Sequence, residues 1–350
     1  MATASYKCPS CGAGLMFDPA LQKIKCDFCL SEFTIADLED YNSRLTDQAE
    51  QQTDVPADAA EHLVAYHCDS CGAEVVTEET TSATFCYYCH NPVLLTGRLS
   101  GQYRPQKVIP FAIDKDKAVE IFRQWAGKRR YVPRDFTSSS QLEKITGLYL
   151  PHWMADYRAD IDYAGKGVNR RVWMSGNTEY TEHQEFTIAR QGSIDVDHVH
   201  EIAFKKIDKQ LLDSITPYDE SKAVDFSLAY LSGFFAEKYD ILQPEIQPVV
   251  EERVWRYATT LVQETIGAYS SVDMEKTDVR LSAKGWHYAL LPAWIMTYLY
   301  RGKVFVYAIN GQTGKIHGAL PVDRKRLSLT SVIMAAVIFV LLILGGLFIW

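Results

Sequence analysis

Eight cysteines carry the clearest chemistry of this 350-residue chain, because they form four pairs in which two residues separate the thiols. The pairs are Cys8 and Cys11, Cys26 and Cys29, Cys68 and Cys71, and Cys86 and Cys89. Fourteen residues separate the first pair from the second, and the third from the fourth. Two such turns can complete the tetrahedral coordination of Zn²⁺ at about 2.3 Å. The spacing predicts two four-cysteine zinc ribbons, and iron is the alternative metal for the same four-sulfur geometry.

Four protein ligands leave no open position on a metal, so the two predicted zinc ions are structural rather than catalytic. A ribbon of about 30 residues buries too little surface to fold without such support. Disulfides are the alternative use of an even cysteine count. The N-terminus lacks the apolar core of a secretion signal, however, and metal binding is typical of cysteines in a reducing compartment.

Several residues beside the cysteines have a predicted structural role. Gly12 and Gly72 follow the second cysteine of a pair, where glycine eases the turn of the backbone toward sulfur.

Histidines and aromatic residues also flank the cysteines. His67 and His90 lie next to cysteines whose sites are already full, so we interpret them as surface histidines. Phe28, Tyr87 and Tyr88 lie inside the second turn of each ribbon. We expect these aromatic side chains to pack beneath the metal rather than to be exposed.

The charge around the ribbons bears on their partners, because nucleic-acid binding needs a basic face. Residues 1–35 hold three lysines and three acids, and residues 64–98 hold one arginine and four acids. Residues 36–62 between the ribbons hold eight acids and one arginine, and so account for most of the chain's net charge of −8. This acidity disfavours nucleic acid and favours other proteins as partners.

A search for enzyme motifs gives little. Four Gly-Lys dipeptides are present, but none is followed by the Ser or Thr of a phosphate-binding loop. The richest polar cluster is 195–201, where His198 and His200 would share one face of a strand and could hold a metal; the alternative is a solvated strand edge. His152 and Asp156 would meet only in a helix, which the proline before His152 disfavours. We therefore predict a protein that is not an enzyme.

The C-terminus predicts a membrane anchor. Residues 327–350 contain no charged residue, and a helix of this length exceeds the roughly 30 Å hydrocarbon core of a bilayer. Arg324, Lys325 and Arg326 precede the segment, which predicts a cytoplasmic N-terminal bulk. The segment is a tail anchor or the first span of a longer chain, and a buried core helix is the alternative.

Between the ribbons and this anchor, residues 108–323 are predicted to form one α+β region with antiparallel sheets. The full predicted division is ribbon 1 at 1–35, an acidic linker with a weak helix at 36–63, ribbon 2 at 64–96, a polar linker at 97–107, the α+β region at 108–323, and a transmembrane helix at 327–350. Helices are predicted at 114–129, 203–214, 220–238 and 246–268. Antiparallel strands are predicted over 156–202, and a hairpin over 303–309 and 315–320.

Two short patterns refine the α+β region. Asn310-Gly311 in the hairpin is expected to supply the positive φ angles of a tight turn, but the loop 310–314 is longer than two residues, which leaves the turn type open. Residues 150–157 match residues 291–298 at four of eight positions, as Leu-Pro-x-Trp followed by Tyr. The match suggests two related β-rich halves, and coincidence is the alternative.

The order of two four-cysteine ribbons, Leu-Pro-x-Trp segments, the 310–314 hairpin and a terminal apolar helix resembles a bacterial family of TFIIB-type zinc-ribbon-containing membrane proteins. Some members carry a label as PriA-type replication-restart helicases, a likeness that covers only the cysteine turns. Members are encoded beside flotillin-like (SPFH) and phage-shock-A-like proteins, which the resemblance implies as partners in an envelope-stress complex. Only the eight cysteines carry over residue by residue.

The sequence thus favours a membrane-anchored, zinc-binding scaffold or adaptor that recruits or organises protein partners at the cytoplasmic face of the cell membrane. A zinc-ribbon protein that binds nucleic acid in transcription or replication is the first alternative. A membrane-associated enzyme that uses the 195–201 cluster is the second.

Overall fold

The computed structural model describes residues 6–46, 63–68, 73–86, 89–95, 98–99, 103–267 and 269–349. These residues form a mixed α+β fold with two N-terminal cysteine clusters, a large mixed sheet and one long apolar C-terminal helix, which confirms the predicted fold class.

The described strands are β1 (Met16–Asp18), β2 (Lys23–Lys25), β3 (Glu32–Phe33), β4 (Leu63–His67), β5 (Glu74–Glu78), β6 (Thr81–Phe85), β7 (Pro92–Leu94), β8 (Lys107–Val108), β9 (Thr146–Ser175), β10 (Thr178–Ile202), β11 (Val224–Asp225), β12 (Phe235–Glu237), β13 (Ser271–Tyr300), β14 (Lys303–Asn310) and β15 (Ile316–Gly318). The α-helices are α1 (Ile35–Thr46), α2 (Lys115–Gly127), α3 (Ser139–Leu142), α4 (Lys209–Ser214), α5 (Gln243–Glu264) and α6 (Arg324–Ile349).

Two 30-residue strands, β9 and β13, form the centre of the large sheet and pair antiparallel with each other. On its other edge β9 pairs antiparallel with β10, so the strands predicted over 156–202 are confirmed as one long hairpin. On its other edge β13 pairs antiparallel with β14, and β14 pairs with β15, which confirms the second predicted hairpin. From residue 157 to residue 167 of β9, buried residues alternate with more exposed ones, because successive side chains point to opposite faces of a sheet.

The two matching sequence segments lie opposite each other at the centre of this sheet. Leu150 pairs with Leu291, which are the first residues of the two copies. The short strand β12 joins β9 in parallel at Leu148 and Tyr149, and β8 joins β13 in parallel at the equivalent Ala289 and Leu290. The units β8-α2-β9-β10 and β12-α5-β13-β14 therefore share one connectivity about a local two-fold axis. This register supports the hypothesis of two related halves over coincidence.

Helices α2 and α5 confirm the helices predicted at 114–129 and 246–268. The Asp114 carboxylate caps α2 by accepting from the Lys117 N–H at 2.7 Å. Helix α5 buries a stripe of small and β-branched residues at four-residue spacing against β9, β10 and β13. The helix predicted at 203–214 is only partly present, since α4 begins at Lys209.

The helix predicted over 220–238 is wrong. This segment contains short 3₁₀ turns, β11 and β12 instead. This segment is held by the first ribbon, because the Phe17 N–H donates to the Ser232 carbonyl oxygen and the Ser232 hydroxyl donates to the Leu15 carbonyl oxygen, at 2.9 and 2.6 Å. Gly233 has a φ of 93°, which no helix interior allows. Long-range docking therefore overrides the local helical pattern.

The first ribbon is thus fixed to the α+β region, and the second is fixed in another way. Strand β6 of the second ribbon pairs antiparallel with β12 and so extends the large sheet. In the predicted linker 97–107, the buried Arg98 guanidinium donates to the carbonyl oxygens of Glu78 and Thr81. Helix α1 lies in the predicted acidic linker, of which residues 47–62 lie outside the described residues.

The hairpin between β14 and β15 tests the expectation that Asn310-Gly311 supplies positive φ angles. That expectation is wrong, because the positive φ, 76°, falls at Gly314. At Gly311, a Cβ atom would lie 2.6 Å from the ring of Phe111 and 2.8 Å from Pro292. Glycine is therefore required there by close packing rather than by the turn.

Asn310 is fully buried, and its side chain forms four hydrogen bonds. Its side-chain amide donates to the carbonyl oxygens of Ile215 and Pro217 at 3.0 and 3.2 Å. Its side-chain oxygen accepts from the N–H groups of Gln312 and Thr313, at 2.9 Å each. Asn310 thus joins the hairpin to the segment that follows α4.

Helix α6 leaves the folded body with exposed apolar side chains on all sides. Residues 324–343 are long and apolar enough to cross a membrane, and none of this window is buried in the fold. The helix begins at an anchored point, because the Asp323 N–H donates to the Tyr131 carbonyl oxygen at 2.7 Å. The Asp323 carboxylate accepts from the Lys325 N–H at 3.0 Å. A helix with this exposure is not a core helix, which was the alternative to a membrane anchor.

Candidate metal centres

The four cysteines of the first ribbon lie together. The Sγ atoms of Cys8 and Cys29 are 3.5 Å apart, and those of Cys11 and Cys26 are also 3.5 Å apart. All four sulfur atoms lie within 4.8 Å of one another. A tetrahedral metal with metal–sulfur bonds of about 2.3 Å needs sulfur–sulfur edges of about 3.8 Å. The cluster therefore fits a four-coordinate metal ion with little change in geometry.

The backbone of each turn explains this placement. The Cys8 N–H donates to the Ala13 carbonyl oxygen at 2.7 Å, and the Gly12 N–H returns to the Cys8 carbonyl oxygen at 2.8 Å. Gly12 has a φ of 77°, as its glycine predicted. Leu30 takes the equivalent position in the second turn with a φ of 60°, a conformation that side chains rarely adopt. The hydrogen-bonded turn thus imposes this backbone shape even without glycine.

The second ribbon repeats the arrangement with the three of its cysteines that are described. The sulfur atoms of Cys68, Cys86 and Cys89 lie within 4.8 Å of one another, and the Sγ atoms of Cys68 and Cys89 are 3.7 Å apart. The fourth predicted ligand, Cys71, and the adjacent Gly72 lie outside the described residues. This group is a second cluster that could bind a metal ion.

The flanking histidines do not join either cluster. Among the described residues, the groups that could hold a metal contain neither His67 nor His90. His90 occupies the turn position of Gly12 and Leu30, with a φ of 57° and an exposed side chain. Its position agrees with the interpretation of a surface histidine beside a full site.

Ionisation of the thiols also bears on metal binding. Hydrogen bonds with the hydroxyl and N–H of Ser31 lower the pKa of Cys29 to about 6. The pKa of Cys11 rises to about 12: the Ala13 N–H favours its thiolate, but the neighbouring sulfurs, that of Cys26 first, oppose it. Four crowded thiols cannot all ionise unless a cation compensates their charge.

The tip of the second turn corrects one expectation. Phe28 does not pack beneath the cluster, since 85% of its surface is exposed, and the neighbouring Leu30 is 69% exposed. The interior of the ribbon is already filled by buried residues such as Ile24. Tyr87 and Tyr88, for which the same packing was expected, lie outside the described residues.

The polar cluster 195–201 lies at a β-bulge in β10, where the register shifts between Val196 and Val199 and His198 has a φ of 58°. Among the described residues, no group close enough to hold a metal includes His198 or His200. Nδ1 of His200 instead lies 2.7 Å from Oε1 of Glu220.

The same histidines line a cavity of about 470 Å³. His152 is buried in its wall, and burial, assisted by the nearby His200, lowers the pKa of His152 to about 3, so that its ring is neutral. Asp156 accepts from the His198 N–H at 2.7 Å and forms no pair with His152, as expected for a strand. Nδ1 of His152 faces the Leu150 carbonyl oxygen at 3.1 Å.

The sequence pattern did not indicate the ion pairs beside this cavity. Glu201 is almost fully buried and forms ion pairs with Arg253 of α5 and Lys209 of α4. These partners are distant in the chain, and no local pattern marks them. The burial of the Glu201 carboxylate beside these two bases indicates a structural role in fixing Arg253 in the wall of the cavity.

The fold and the clusters define an α+β protein with two possible metal-binding cysteine clusters and one candidate membrane helix. The chain is 32% identical over 326 residues to "Uncharacterized protein YdjG" of Bacillus subtilis (strain 168), a match that covers 93% of this chain and 92% of that protein. The chain therefore belongs to the YdjG family. No protein-family model matches the chain, and no solved structure matches it.

Proposed function

We propose that the chain is a membrane-anchored, zinc-binding scaffold that recruits protein partners at the cytoplasmic face of the cell membrane. The observation that carries this proposal is the exposure of Phe28 and Leu30 on a turn whose two ends lie in a cysteine cluster. Large apolar side chains on a rigid turn are suited to protein contact, because an exposed aromatic anchor loses little freedom on binding.

Zinc is the metal that we propose for both clusters. The sulfur–sulfur distances of 3.5 to 3.7 Å are close to the edges of a zinc tetrahedron, and no histidine or carboxylate joins either described group. Elemental analysis of the purified chain should find about two zinc ions per chain. Two iron ions would show that the sites take the alternative metal, and fewer than two metal ions of any kind would contradict the pair of closed sites.

Helix α6 supports the membrane location. It is exposed over the described window 324–343, and Arg324, Lys325 and Arg326 stand at its start, as expected on the cytoplasmic side. Protease added to intact cells should leave the N-terminal region uncut. Digestion of that region under these conditions would reverse the proposed topology.

The proposed partners are SPFH-type or phage-shock-A-like proteins, which the sequence resemblance implies. Affinity capture of the full chain from detergent-solubilised membranes should recover one of them. The double variant Phe28→Ser, Leu30→Ser should lose that partner, while a Leu21→Ser variant should retain it. Leu21 is a matched control, because it is 44% exposed in the same ribbon but lies away from the turn.

The outcome of this capture is decisive only if both variants keep their metal. If the double variant binds about two zinc ions per chain and still recovers the same partner, the turn does not recruit it. A chain that captures neither class of protein would contradict the proposed partners but not the metal sites.

A membrane-associated enzyme or ligand-binding protein is a second candidate, which the 470 Å³ cavity favours. The His200 imidazole, hydrogen-bonded to the Glu220 carboxylate, can bind a small polar ligand or exchange a proton with it. Screening small ligands by thermal shift should find one whose stabilisation disappears in a His200→Gln variant. A third metal ion per chain, lost when His198 and His200 are changed, would support a metalloenzyme instead.

A further inference from the structure

Three short segments of the chain carry basic charges and no acidic ones. Residues 128–130, 301–303 and 324–326 together hold eight lysines and arginines and no acid, in a chain with 36 basic and 44 acidic residues. The first segment follows α2, the second is the turn between β13 and β14, and the third begins α6. They are far apart in sequence, so only the fold can bring them together.

The topology of the sheet places the second and third segments at the same end. Strand β14 leaves the basic turn, and β15 returns antiparallel to it, with Tyr307 opposite Gly318. The chain that leaves β15 therefore runs back toward the β13–β14 turn. Helix α6 begins six residues after β15 ends, on the stretch of chain that runs toward that turn.

Hydrogen bonds place the first segment there as well. The Tyr131 carbonyl oxygen, directly after residues 128–130, accepts from the Asp323 N–H at 2.7 Å. The same loop continues to Asp135, whose Oδ2 accepts from the Tyr298 hydroxyl at 2.9 Å. Tyr298 lies three residues before the β13–β14 turn. The three basic segments thus surround the root of α6.

The turn also carries apolar side chains. Leu299 and Val304 flank it and are 68% and 65% exposed, and the Arg301 guanidinium lies over the Tyr300 ring at 5.3 Å. Exposed apolar, aromatic and basic side chains together are typical of a membrane–water interface.

The bases of this region are available to a ligand. Across the described part of the chain, the one carboxylate within 4.0 Å of any of the eight is that of Asp323, 3.9 Å from Nε of Arg326. In a chain with an excess of acids, eight clustered bases with so little compensation indicate an external anionic partner.

We propose that these three segments form a basic collar that binds the anionic phospholipid headgroups of the leaflet that α6 enters, with Leu299 and Val304 inserted among those headgroups. The inference rests on the membrane anchor of the proposed function. Each base near an anionic surface strengthens such binding by about fivefold. The collar would hold the body of the protein against the bilayer. With α6 alone, the orientation of the body relative to the bilayer would not be fixed.

Hydrogen–deuterium exchange on the full chain tests the collar. The chain is reconstituted in nanodiscs of phosphatidylcholine alone, or of phosphatidylcholine with about one third phosphatidylglycerol. Exchange of a peptide that covers 298–304 should be at least about fivefold slower in the anionic discs, and high salt should remove the difference. A peptide from the distant end of the β9–β10 hairpin, over 172–180, should exchange equally in both.

A matched pair of variants separates the collar from general electrostatics. Arg301→Gln with Lys303→Gln should abolish most of the lipid dependence, whereas Arg170→Gln with Arg171→Gln, two exposed bases of the distant hairpin, should keep it. Equal exchange of wild type in the two kinds of disc would overturn the collar while the anchor stands. A chain that does not remain with either disc would overturn the anchor and the collar together.

Discussion

Replacing one buried ligand, Cys26→Ser, tests the first metal cluster most directly. Cys26 is fully buried, and its sulfur lies 3.5 Å from that of Cys11. A structural zinc site contributes about 10–16 kcal/mol to the folding of a small ribbon. The ribbon's own buried residues Leu15, Phe17 and Ile24 contribute roughly 1.5–3 kcal/mol each, or about 5–9 kcal/mol together, which cannot replace the metal. We therefore expect the first ribbon to open.

The assay combines elemental analysis with hydrogen exchange. Zinc content should fall from about two ions per chain to about one, because the second cluster lies on separate turns. The amide of Phe17, which donates to the Ser232 carbonyl oxygen at 2.9 Å, should lose protection as the ribbon undocks. Ser10→Ala, an exposed change in the same turn, should retain both zinc ions and the protection. A Cys26→Ser chain that keeps two metal ions and a protected Phe17 amide would refute this reasoning.

Three further predictions concern the α+β region and its junctions, each measured by denaturant unfolding of the detergent-solubilised chain. Asn310→Ala should cost about 2–4 kcal/mol, because it leaves two carbonyl oxygens, that of the buried Ile215 among them, and two N–H groups without their partner; a cost below about 1 kcal/mol would contradict that role. Arg98→Met should cost about 2–3 kcal/mol, since two carbonyl oxygens lose a charged donor, and an unchanged unfolding midpoint would contradict this. His152 has a folded-state pKa depressed to about 3, so the unfolded chain binds the extra proton and stability falls as the pH drops from about 6.5 toward 3. His152→Asn should remove on the order of 3 kcal/mol of this loss at pH 4, and an identical pH slope in both proteins would count against a neutral buried histidine.

The features that the sequence predicted well depend on neighbours in the chain. The cysteine turns follow from spacing within a few residues, and α2 and α5 follow from apolar positions at helical intervals. The long hairpin at 156–202 follows from alternation with period two. Even the short match between residues 150 and 291 located the centre of the sheet, because both segments occupy equivalent positions about its local axis.

The features that were missed depend on contacts between distant segments. Nothing local in 220–238 shows that Leu15 and Phe17 form hydrogen bonds with Ser232, so a helix is predicted where 3₁₀ turns occur. The exposure of Phe28 depends on how other residues fill the ribbon, which a sequence pattern does not reveal. The cavity at His152 likewise joins four elements that no motif connects.

The length of β9 determines how far the large sheet extends. Thirty residues at about 3.3 Å each give a contour of about 100 Å, more than three times the roughly 30 Å hydrocarbon core. Because β9 and β13 run in opposite directions, the end of the β9–β10 hairpin, with its stacked Trp173 and Tyr180 rings, lies at the opposite end of the sheet from the root of α6. Under the proposed topology, a partner bound at that tip would be held far from the bilayer, while one bound to α6 would remain in it. One chain could thus hold one partner in the bilayer and another far from its surface, a separation that a contact at the lipid headgroups cannot span.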